Sequence, residues 1–185
     1  MLPVITFLRL AGLVVASIWL GGTVLFVLAL DPLFGRAEVL RLLGPLYAGE
    51  MGLLALQRFH LFQLLCASLA LIHTLAEWLY SGRPLESRLL VLLVVLLVAA
   101  SAGRVWLVPK CRGLNIQAHL GPNQKVLREP QTPAQRQAAH SLAVWQGIGV
   151  VLNVVSMSGV ALFFLHAYQP ANGGPRLFPR SRLRI

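Results

Sequence analysis

Residues 89–110 read LLVLLVVLLVAASAGRVWLVPK, and this stretch decides the fold. From Leu89 to Val108 it is an unbroken Leu/Val-rich run whose one charge, Arg104, comes near its end. A ~30 Å hydrocarbon layer needs about 20 apolar residues of helix, so the run is long enough to cross one. It lacks the period-two alternation over about ten residues that marks the strands of a membrane barrel. The reading is a transmembrane helix.

Three further stretches follow the same rule. The first runs from about Thr6 to Leu30, with Arg9 and Asp31 as its nearest charges. Another ends at Tyr80 and begins between Leu53 and Leu61, and the last runs from about Leu142 to Tyr168. The expected architecture is all-α: four transmembrane helices in an antiparallel bundle over residues 1–169, then a basic Pro/Gly/Arg tail over residues 170–185. Between helices one and two, Val39, Leu40, Leu42, Leu43 and Leu46 alternate with Arg36, Glu38 and Arg41. That predicts a short interfacial helix broken at Gly44-Pro45. Ser81-Gly82-Arg83-Pro84 reads as a tight connection, and Lys110–Arg136, with three prolines, as a polar loop. No small-residue cleavage site follows the first apolar run, so it is expected to stay as an anchor.

Composition agrees. Apolar residues make up 57% of the 185 and charged residues 12%, whereas soluble domains carry roughly 25% charged residues. A soluble enzyme, a disordered chain and a small disulfide scaffold are all excluded, the last because the chain holds two cysteines, Cys66 and Cys111. The net charge is +10. Its basic residues fall between apolar runs and in the tail (Arg176, Arg180, Arg182, Arg184), where they read as contacts for anionic lipid or a protein partner, not for nucleic acid. Counting Lys and Arg on the two sides of a four-span topology gives seven against nine. The dense tail and short basic loop favour both termini in the cytoplasm.

Small and polar residues mark packing faces where no hydrophobic drive operates between helices. Gly12, Ala16, Ser17 and Gly21 in helix one and Gly147 and Asn153 in helix four are expected there, either inside the bundle or against another subunit. Ionisable residues inside apolar runs are functional candidates. Asp31, Arg58, His60, Arg104 and His140 all fall at one end of the four spans, an arrangement that suits ion pairing or a vestibule. At the other end His73 and Glu77 share a helix face beside Trp78 and Tyr80, with His166 on the same side.

His60 with His140, or His73 with Glu77 and His166, are the candidate ligands for a single haem, another tetrapyrrole or copper. A two-haem arrangement is disfavoured. His60 and His73 are about 20 Å and 220° apart along a straight helix, against about 39 Å and 80° for His140 and His166. No nucleotide or hydrolase motif and no paired carboxylates are present, which leans against an enzyme.

Trp19-Leu20-Gly21-Gly22, Pro32-Leu33-Phe34, Arg104 through Lys110, His140-Ser141 and Asn153 together resemble the transmembrane protein 205-like family of small four-helix membrane proteins. A more distant similarity is to copper resistance protein D-like membrane domains, with their sparse histidines near helix ends. The resemblance implies the four-helix fold and supplies no reaction. Three functions remain open: a non-catalytic accessory subunit of a larger membrane assembly, a haem- or copper-associated membrane protein, and a small transporter or channel component.

Overall fold

The computed structural model describes residues 2–81, 87–121, 126–127 and 132–168. Among these the chain is helical apart from turns and one isolated bridge, Leu120 to Val126, and four helices are long and apolar enough to cross a membrane. Helix one is α-helical over Leu2–Leu25, π-helical over Phe26–Leu30 and α-helical again over Asp31–Leu33. Helix two covers Ala37–Ser81. Helix three runs through Ser87–Ala102, a π segment Gly103–Leu107 and Val108–His119. Helix four is Pro133–Tyr168. The expected connection at Gly82, Arg83 and Pro84 and the arginine tail lie outside the described residues.

Gly44 divides helix two as its sequence implies. Its φ of +75° is open to glycine at little cost, and Pro45, which needs no N–H partner at a first helical position, starts the long segment that follows. That segment begins well before Leu53.

The two π segments share a cause. Proline has no N–H, and inside a helix its ring collides with the carbonyl four residues back. For Pro32 that carbonyl belongs to Leu28, and for Pro109 to Val105; both lie in a π segment. There the bonding pattern steps out to five residues, Asp31 N–H to Phe26 and Val108 N–H to Gly103, so the helix widens instead of ending. Helix three therefore continues through Lys110 to His119, where a loop was expected.

Helix four also starts earlier than its apolar run. Thr132-Pro133-Ala134-Gln135 forms a capping box: the Gln135 N–H donates to Thr132 Oγ1 (3.2 Å) and the Thr132 N–H to Gln135 Oε1 (3.0 Å). The expected loop shrinks to the residues between His119 and Thr132.

The helices meet in two apolar clusters. One gathers Ala16, Trp19, Ala67, Leu93, Val160 and Phe163; the other gathers Leu53, Leu107, Cys111 and Leu142. Close approach depends on glycine. Gly12 lies under the His73 ring, a Cβ on Gly22 would come within 2.6 Å of Phe62, and one on Gly159 within 2.9 Å of Leu96. Ala16 and Asn153 are likewise buried. Ser17, Gly21 and Gly147 are not. Gly21 stands two residues from both Trp19 and Thr23, about 200° around the helix from either, and faces outward. The outer faces, including Leu28, Ile72, Val98 and Val151, are broadly exposed and apolar, the surface a lipid-facing helix presents.

Gly12→Val is expected to lower the thermal unfolding midpoint in detergent, at a cost of about 1–3 kcal/mol for overpacking against His73. Gly21→Val, with open space around it, leaves the midpoint unchanged in the same assay.

Candidate functional site

The most unusual side chain in the interior is His60. Phe59 beside it stacks flat on Phe26 of helix one, ring centroids 4.0 Å apart and planes 3° from parallel. His60 points the other way, into helix three. Its ring rests on Gly103, the first residue of the π segment, where any Cβ would overlap it. The residue is 2% exposed and neither ring nitrogen has a hydrogen-bond partner. Arg104, next along helix three, is near enough to act on the imidazole electrostatically. Such an orphan normally costs about 1–3 kcal/mol.

A second polar approach lies just beyond the π segment of helix one, where the Asp31 carboxyl comes close to the Asn153 side chain of helix four. Of the five groups expected at this end, His60 rests on Gly103, the neighbour of Arg104 in sequence, without bonding to Arg104, and Asp31 approaches Asn153. Arg58 stands exposed on the outer face between helices one and two. His140 is exposed as well. It sits two residues from both Ala138 and Leu142, the buried positions of helix four, and so falls on the opposite face. His60 and His140 do not share a ligand position.

At the other end His73 is occupied by its contact with Gly12, and Glu77 and His166 are half-buried. Among the described residues no three His, Cys, Asp or Glu side chains are grouped to hold a metal ion. The His60 ring is packed on Gly103, and its centroid lies 6.0 Å from that of the Phe59 ring. Cys66 and Cys111 are both buried and unbonded.

Two networks went unforeseen. Between helices one and two, the Trp19 indole N–H donates to Gln63 Oε1. The Gln63 amide donates to Thr23 Oγ1 (3.1 Å), and the Thr23 hydroxyl to the Trp19 carbonyl (2.7 Å). A lone glutamine among Leu61, Phe62, Leu64 and Leu65 was the available signal. Further along, Arg112 pairs with Glu50 at 3.0 Å. Asn115 Nδ2 donates to Glu50 Oε1 (3.2 Å) and to the Leu46 carbonyl (3.1 Å), its amide lying 2.6 Å from where a Gly49 Cβ would be. His119 Nδ1 bonds the Asn115 carbonyl at 3.1 Å. These groups sit in stretches expected to be interfacial or loop, so their pairing across helices two and three was not legible.

No family model, curated protein or solved structure matches the chain. Chemically, the interior polar groups join helix to helix: one to two, one to four, two to three.

Replacing both orphan nitrogens at once should cost little. His60→Leu is expected to leave the detergent melting midpoint unchanged or raised, whereas Gln63→Leu, which strands the Trp19 N–H, lowers it by the equivalent of about 1–3 kcal/mol. A large loss for His60→Leu would show that the imidazole has a partner.

Proposed function

We propose that the chain is a multi-pass membrane protein, its four helices antiparallel across the bilayer, and that it serves as a non-catalytic partner subunit of a larger membrane assembly. Membership of the transmembrane protein 205-like family belongs to the same proposal and rests on the motif residues quoted above.

The membrane placement is supported by the apolar outer faces and by polar residues turned inward to one another. The partner role is supported by how the small residues divide. Gly12, Gly22, Gly103 and Gly159 are each packed under a side chain of a neighbouring helix. Gly21 and Gly147 have nothing within 4 Å of where a Cβ would stand. That single contrast carries the reading, because a small residue facing lipid gives up contact area that a leucine would supply, and close helix approach is the use such residues have. Ser17 and Ala143, four residues before them, are also exposed. A channel role has less support, since Trp19, Leu93, Val160 and Phe163 fill the middle of the bundle.

Extraction from native membranes in mild detergent, followed by native electrophoresis, tests this. The wild-type chain is expected in a complex larger than itself, and Gly21→Ile with Gly147→Ile releases it as the single chain, with the purified chain's melting midpoint unchanged. Wild-type chain that migrates alone overturns the partner role.

A further inference from the structure

Between helices one and two an apolar groove of about 310 Å³ opens on the outer face, lined by Gly22, Phe26 and Leu30 on one side and Ala55, Arg58 and Phe62 on the other. The stacked pair Phe26–Phe59 makes its floor and closes it off from His60 behind. Gly22 helps to keep it shallow enough for Phe62 to lie across helix one. Its one charged lining residue is Arg58, which is exposed and has no ion pair or hydrogen bond among the described residues. The carboxyl nearest along helix one, Asp31, is turned to Asn153.

We propose that this groove holds one acyl chain of an anionic phospholipid, with the headgroup phosphate on Arg58. The inference rests on the membrane placement above and not on the partner role. Depth supports it. Arg58 is 22 residues before Tyr80 on one helix, about 33 Å, which spans a ~30 Å hydrocarbon layer between the Trp78–Tyr80 belt and the opposite headgroups. The groove then straddles headgroup level, from Ala55, about 4.5 Å outward of Arg58 on helix two, to Phe62 on the inward side. Phe62 lies about 6 Å deeper than Arg58, and Gly22 about 12 Å deeper than Leu30. A phosphate at Arg58 can be bound bidentately, and a chain leaving it inward meets only apolar walls. Because the inward part of the groove, from Arg58 to Phe62, is open on the outer face, lipid enters sideways, with its second chain left in the bilayer. The volume is at the small end for ligand pockets and suits one chain.

The test is retention of lipid by the full chain in mild detergent, measured by mass spectrometry. Phosphatidylglycerol, phosphatidylcholine with the same acyl chains, and free oleate are supplied in separate arms. The wild-type chain is expected to retain phosphatidylglycerol several-fold more than phosphatidylcholine. Arg58→Gln lowers that retention roughly fivefold, the effect of one basic residue at the headgroup surface. Ala55→Phe, which fills the groove, lowers it for both phospholipids, and Arg41→Gln, an exposed arginine elsewhere on the same side, leaves it unchanged. Equal retention of the two phospholipids, equal loss in Arg41→Gln, or tighter retention of oleate than of phosphatidylglycerol overturns the proposal. Failure of the membrane placement looks different: the chain would then stay in solution with detergent removed.

Discussion

A continuous helix meets its backbone donors and acceptors along its own chain, and two prolines interrupt that pattern, Pro32 one residue before the end of helix one and Pro109 inside helix three. The rest of the architecture depends on how the break is absorbed. Widening to a π turn ahead of Pro32 and Pro109 keeps both helices continuous. It carries Asp31 to the side chain of Asn153, and it carries helix three on to Arg112 and Asn115, where these meet Glu50. The same widening places Gly103 under His60. Had helix three ended at Val108, as its proline suggests, the partners of Glu50 would be missing.

Polar groups in this interior act in proportion to how fully they are paired. Trp19, Gln63 and Thr23 form a network in which each group has a partner, between helices that also meet through the Phe26–Phe59 stack and through Gly12 and Gly22. His60 is the counter-example, buried against Gly103 with both nitrogens unmet. A leucine of similar size at this position would lack the desolvation cost.

The four apolar helices were legible in the sequence because a continuous run of 20 or so leucines and valines has few other solutions. Helix limits were less so, for identifiable reasons. Pro109 reads as a terminator unless π widening is considered, and the prolines around Thr132 hide a capping box whose Thr-x-x-Gln spacing was present to be read. At the candidate site, chain order brings Asp31, Arg58, His60, Arg104 and His140 to one end, but depth is not direction. The 100° step between residues turns His140 and Arg58 outward and His60 inward. Counting two residues from Ala138 and Leu142 would have settled His140; nothing comparable foretold that Asp31 would reach Asn153.

The segment of helix two from Pro45 to Ser81 is about 55 Å long, and helices three and four are nearly as long. On the membrane placement proposed above, about 20 Å of each stands clear of the hydrocarbon, tied together through Glu50, Arg112, Asn115 and the cluster around Cys111. The protruding ends form a stiff lever. A tilt of about 10° within the bilayer would move their far tip by roughly 4 Å.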